Sequence, residues 1–200
     1  MYNFLNRLNT IKIPDSEDFV ENVLPDKYYF YDDFDITFSS PNQELSMMHV
    51  NIRGLIKNFS KLEEILCVMK KKPDIIAISE SNIKKKHKKS YIPTIEGYEF
   101  FRDNSKKAIG GVLIYTKLHF ETTVRNDLQL NQQSCEDKWL RIKIDNHNPI
   151  VVAAIYRHPG YEYQDFQYAL LESIEKLNKT NTKYYILVCS IRFVKLFNTS

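Results

Sequence analysis

Between Tyr98 and Tyr156 the chain carries one strand-like run after another and no stretch with helical periodicity. Nothing else in the sequence limits the fold as strongly. The runs are Gly97 to Arg102, Val112 to Tyr115, Trp139 to Ile144 and Ile150 to Tyr156, each with apolar residues alternating or continuous over a strand's length. Gly110-Gly111 opens the second of them. A helical bundle cannot accommodate such a region, and a simple βαβ alternation needs helices where none is written. The pattern predicts a β-meander.

On the N-terminal side, Ser46 to Ile52 reads as a strand and Asn58 to Lys70 as an amphipathic helix, with Leu62, Ile65, Leu66 and Met69 on one stripe. Ser60 and Glu63 have the spacing of a capping box, and Lys70-Lys71-Lys72-Pro73 stops the helix. Ile75 to Ile78 is short, apolar and mostly β-branched, which suits a buried strand. On the C-terminal side, a helix over Tyr163 to Leu177 presents Phe166, Ala169, Leu170, Ser173, Ile174 and Leu177, and Tyr184 to Val188 supplies one more strand. The fold class is therefore α/β (α+β) with a large antiparallel component, a β-sandwich flanked by helices.

Of the 200 residues 43% are hydrophobic, enough for one domain with a core. No apolar run approaches the ~20 residues that span a bilayer, and Met1 to Thr10 lack the apolar stretch of a secretory signal. The expectation is an intracellular protein with no membrane partner. Cys67, Cys135 and Cys189 are too far apart for a CxxC metal site and read as small buried or partly buried residues. Charge is unevenly spread: residues 1–45 hold 3 basic and 9 acidic groups, which leaves 25 basic and 16 acidic groups, a net of +9, for the rest. Residues 1–45, acidic and aromatic, read as a poorly ordered leader. The basic body favours polyanionic partners. Its densest run is Lys84, Lys85, Lys86, His87, Lys88 and Lys89, a solvated loop that also has the composition of a nucleic-acid contact or a nuclear-import signal.

Polar residues at the ends of apolar strands are candidates for chemistry. Asn51 closes the first strand and Glu80 the second, while Tyr156, Arg157 and His158 close the run from Ile150. Each alone has a bland explanation as a turn or a solvated end. Together, a carboxylate and a carboxamide on neighbouring strand ends suit a hard divalent cation and a phosphate oxygen, with Tyr156, Arg157 or His158 as phosphate partners. There is no P-loop, no dinucleotide fingerprint and no motif for a nucleophilic Ser or Cys system.

Five segments taken in order carry a resemblance. His49-Val50-Asn51-Ile52-Arg53-Gly54-Leu55, Lys72-Pro73-Asp74-Ile75-Ile76-Ala77-Ile78-Ser79-Glu80-Ser81, Gly97-Tyr98 with Arg102, Gly110-Gly111-Val112, and Ile155-Tyr156-Arg157-His158-Pro159 resemble the endonuclease domain of non-LTR (LINE-type) retrotransposons. That domain is a branch of the endonuclease/exonuclease/phosphatase superfamily, related to apurinic endonucleases. The resemblance covers residues 46–188 and implies a partial four-layer αββα sandwich and a Mg²⁺-dependent phosphodiesterase that nicks DNA. It makes Asn51 an active-site asparagine, Glu80 the metal ligand and Tyr156 the phosphate-facing tyrosine, with Arg157 of the family's Tyr-Arg pair beside it.

The family continues after its last matching strand with Gly-Asp-Phe-Asn, whose Asp and Asn position the attacking water and stabilise the phosphate. Here the text is Cys189-Ser190-Ile191-Arg192, and residues 189–200 read as a divergent tail without the family's Ser-Asp-His motif. The expectation is a truncated, catalytically impaired endonuclease domain that binds DNA weakly and without sequence preference. A non-enzymatic nucleic-acid-binding remnant and a phosphatase-type member of the superfamily are the alternatives.

Overall fold

A computed structural model describes residues 45–144, 148–189 and 195–198. The acidic leader lies outside these residues, Leu45 excepted. The described elements form two sheets, two α-helices and two single-turn 3-10 helices, Lys89–Tyr91 and Asn126–Leu128. Sheet A contains β1 (Ser46–Asn51), β2 (Ile75–Ser79), β3 (Tyr98–Asp103), β4 (Val112–Lys117) and β9 (Lys195–Asn198), in the order β3-β4-β2-β1-β9. Sheet B contains β5 (Glu121–Val124), β6 (Cys135–Lys143), β7 (Ile150–Arg157) and β8 (Tyr184–Cys189), in the order β5-β6-β7-β8. Helix α1 (Leu55–Val68) links β1 to β2 and α2 (Tyr163–Lys179) links β7 to β8. Both linked strand pairs are parallel, as a helical crossover requires, and all other pairings are antiparallel.

The period-2 alternation of each strand sorts its apolar residues between two cores. Met47, Ile75, Ala77, Val112 and Ile114 of sheet A meet Leu140, Ile142, Val152 and Ala154 of sheet B in the space between the sheets. The neighbouring residues Met48, Ile76, Ile78, Leu113 and Tyr115 face Leu55, Leu62 and Leu66 of α1. On the far side, Trp139, Val151, Ala153 and Ile155 face Phe166, Leu170, Ile174 and Leu177 of α2. The layers are therefore α1, sheet A, sheet B and α2.

The expected single meander is in fact divided. β3 and β4 stay in sheet A, where β4 pairs with β2 and β3 pairs with β4, and the chain changes sheet between Lys117 and Glu121, so that β5, β6 and β7 form the meander of sheet B. Alternation within a strand cannot report which sheet the strand joins. Helix α1 begins three residues earlier than its apolar stripe indicates, and Ser60 lies inside it, so the capping box is not used. The first turn is tied instead by Asn58, whose Nδ2 donates to the carbonyls of Ile52, Arg53 and Gly54. Within the tail, Lys195–Asn198 runs antiparallel to β1 and pairs its outer edge, a pairing that blunts an otherwise open template.

Candidate functional site

β1 and β2 run parallel side by side with Asn51 opposite Ser79, so the chain leaves sheet A at one level in both strands. Open α/β sheets bind ligands beyond the carboxyl ends of such strands. The two exits are tied together: Ile52 N donates to Ser79 O at 3.1 Å, Gly54 N to Glu80 O at 2.7 Å and Leu55 N to Ser81 O at 2.9 Å. Arg53, Glu80 and Asn82 all have positive φ, at 50°, 51° and 54°. Left-handed backbone at non-glycine residues costs on the order of 1 kcal/mol or more and concentrates at functional sites.

The strained turn at Glu80 brings its carboxylate to Asn51, whose Nδ2 donates to Glu80 Oε1 at 2.8 Å. Asn51 Oδ1 accepts from Arg53 N at 3.3 Å, which fixes the sense of the amide. Both side chains are half-buried. A carboxyl group thus stands beside an oriented carboxamide.

Asn82, just past Glu80, connects this end to the start of β4. Its Oδ1 accepts from Gly110 N at 3.0 Å and its own N–H donates to Gly110 O at 2.8 Å. Gly110 has φ +136°, and a Cβ there would stand 2.7 Å from both Glu136 Oε2 and His158 Cε1. Glycine is required at that point because sheet B comes into contact with the Glu80 turn there. Glu136 stands directly opposite Tyr156 in the β6–β7 ladder, so the two side chains share the face that looks toward sheet A. His158 Nε2 lies 2.9 Å from Glu136 Oε1, and its ring meets the Tyr156 ring edge-on with centroids 5.1 Å apart.

Asn51 and Glu80 are thus in contact. Tyr156 is buried at the C-terminal end of β7 and is joined to them through His158, Glu136, Gly110 and Asn82. Arg157, one residue on, takes the opposite face: its guanidinium lies over the Tyr163 ring of α2 at 5.7 Å. His158 is buried against Glu136 instead of standing in solvent. In the basic loop, Lys84 is half-buried with its Nζ on Ser105 Oγ at 3.1 Å, whereas Lys85, Lys86, Lys88 and Lys89 are exposed. The loop is held by Lys84 N donating to His87 Nδ1 and Arg102 Nη2 donating to His87 O.

Sequence reasoning missed Glu136 and Asn82. Glu136 carried a signal, an acidic residue in the same strand phase as the inward-facing Leu140 and Ile142. Beside it on the other face, burial pushes the Asp137 carboxyl up to about 6, although Leu130 N and Trp139 Nε1 both donate to it. Cys135 is buried and Cys67 exposed, so the expectation for the cysteines fails at Cys67. Among the described residues, no three His, Cys, Asp or Glu side chains converge as a metal cluster, and no helix is long and apolar enough to cross a membrane.

No family model and no curated protein matches the chain in sequence. Solved structures do match in shape. A 3'-5' exonuclease from Neisseria meningitidis superposes with a TM-score of 0.52 at 14% identity, over 72% of this chain and 56% of that one. The catalytic domain of Xenopus laevis APE2 gives 0.49 at 16% identity, over 72% and 57%. The endonuclease domain of TRAS1, a telomere-specific non-LTR retrotransposon, gives 0.44 at 11% identity, over 70% and 56%. The chain spans little more than half the length of each of these. With two mixed sheets packed face to face between helices, it has the α/β sandwich fold of the endonuclease/exonuclease/phosphatase proteins.

Proposed function

We propose that this chain is a DNA-directed phosphodiesterase domain of the non-LTR retrotransposon type, with the Asn51–Glu80 pair as its cation and phosphate end and with catalysis impaired. The observation that carries the reading is the 2.8 Å hydrogen bond between two residues that end adjacent parallel strands, one of them in a strained turn. The retrotransposon assignment within the superfamily rests on the sequence segments around Asn51, Glu80 and Tyr156.

The donor set suits Mg²⁺, which takes one or two carboxylates and keeps several of its waters. Glu80 would hold it, with Asn51 fixing the carboxylate and offering its amide to a phosphate oxygen. Bound there, the ion would withdraw charge from the phosphoryl group. Tyr156 would lie beside the phosphate and the exposed lysines of residues 85–89 would meet the neighbouring backbone. Hydrolysis also needs a base to take a proton from the attacking water. Cys189-Ser190-Ile191-Arg192 supplies no carboxylate where the related domains carry Gly-Asp-Phe-Asn.

Two assays on the 200-residue protein test this. Duplex DNA should bind weakly at low salt, and supercoiled plasmid with Mg²⁺ should show negligible nicking. Absence of DNA binding at low salt refutes the proposed partner. Robust nicking that Glu80→Gln abolishes refutes the impairment.

A further inference from the structure

The face of sheet B that packs on sheet A is apolar along Leu140, Ile142, Val152 and Ala154, and the same phase puts Glu136 into it. Glu136 is 0% exposed and His158 4%. A buried carboxylate costs several kcal/mol unless it is well paired, and an apolar residue at 136 would complete the core without that cost. Something other than packing therefore accounts for a carboxyl group at this position. Its Oε1 takes two contacts, Lys106 N at 2.8 Å and His158 Nε2 at 2.9 Å. Lys106 Nζ in turn holds the carbonyls of Gln132 and Cys135, both at 2.9 Å, just ahead of Glu136. His158 N donates to Ser134 O at 2.7 Å, so the imidazole is anchored at its backbone as well as its ring.

This network touches both halves of the candidate site. On one side, the His158 ring lies edge-on against Tyr156 at 88° between planes. On the other, Glu136 Oε2 and His158 Cε1 fill the space where a side chain at Gly110 would be, and Gly110 is bonded to Asn82 of the Glu80 turn. We infer that Glu136 and His158 are positioning residues, a buried carboxylate–imidazole pair that sets the Tyr156 ring relative to the Glu80 turn across the two sheets. Its role in phosphate binding rests on the proposed function, while its effect on Tyr156 stands without it.

The test uses the whole chain labelled with 3-fluorotyrosine, the Tyr156 resonance being the one that disappears in Tyr156→Phe, together with affinity for a short DNA duplex. Glu136→Leu removes the acceptor and should move the Tyr156 resonance by more than its linewidth and weaken DNA binding several-fold. Tyr98 and Tyr115, on the α1 side of sheet A, should keep their resonances, which a general loosening would not allow. Glu136→Gln, which still accepts from Lys106 and His158, should restore the Tyr156 position. If Glu136→Leu does not fold, His158→Phe keeps a ring against Tyr156, removes Nε2, and should displace the same resonance. An unmoved Tyr156 in either folded variant, or a Gln variant displaced as far as Leu, overturns the inference. A displaced Tyr156 in a protein whose wild type binds no DNA supports the positioning and refutes the phosphate reading alone.

Discussion

Asn51 donates from Nδ2 to Glu80 Oε1 at 2.8 Å, although 28 residues, a helix among them, separate the two in the chain. The contact depends on the parallel register of β1 and β2, which sets Asn51 opposite Ser79, and on the positive φ that turns Glu80 back toward its neighbour. Fold and candidate chemistry are joined here: a crossover helix makes the strands parallel, and parallel strands bring their polar ends together.

Gly110 should tolerate substitution much less well than Gly97. Both have positive φ, but a Cβ at Gly97 meets nothing within 4 Å, while at Gly110 it meets Glu136 and His158 at 2.7 Å. Gly97→Ala should lose about 1 kcal/mol from backbone strain alone, and Gly110→Ala about 1–3 kcal/mol more. Urea unfolding of the two variants checks the difference; equal losses would mean that the contact between sheets at Gly110 is loose.

Stability should fall as pH rises between about 4 and 6. Asp137 titrates at about 6 in the folded chain because of burial, against about 4 unfolded, so the folded state holds the proton more tightly. Its contribution is complete below the unfolded value and is lost as pH passes the folded one, a change on the order of 2–3 kcal/mol. Asp103 is also raised by burial and acts in the same direction. Asp74 is lowered: burial opposes the shift, but Lys117 and Ser46 outweigh it, and its contribution is already present across this window. Asp137→Asn, which still accepts from Trp139, should flatten the slope in urea unfolding across these pH values. A slope that persists would place the titration elsewhere.

Seven of the nine described strands and the two α-helices were legible because alternation and the helical stripe are local, whereas the short strands Glu121–Val124 and Lys195–Asn198 were not. Met47 and Met48, or Ile75 and Ile76, announce a strand buried on both faces without saying which core each joins. The division of the expected meander between two sheets was not legible, since it is decided by the turn between Lys117 and Glu121 and by the pairing of β4 with β2. Asn51 and Glu80 were visible as polar ends of apolar runs. Arg157 shows the limit of that reasoning: beside Tyr156 in the chain, it faces α2 because neighbours in a strand point to opposite sides. Glu136 and His158 meet only through the antiparallel ladder, which sequence spacing does not encode.

The exposed lysines should govern any salt-dependent binding to DNA. Replacing Lys85, Lys86, Lys88 and Lys89 with glutamine should flatten the slope of log affinity against log salt, by about 0.9 for each phosphate no longer neutralised. Lys84→Gln alone should change the slope little, because its ammonium is held on Ser105. Fluorescence anisotropy over a salt series measures both, and an unchanged slope in the fourfold variant would leave the loop as a solvated surface.

Titration of the whole chain with Mn²⁺ in place of Mg²⁺, followed by electron paramagnetic resonance of the free ion, is the sharpest test of the Asn51–Glu80 site. The expected result is one weak site that Glu80→Gln removes and that Asn51→Ala weakens, with thermal unfolding close to that of the parent in each case. Equal Mn²⁺ binding by the parent and by Glu80→Gln would refute the assignment.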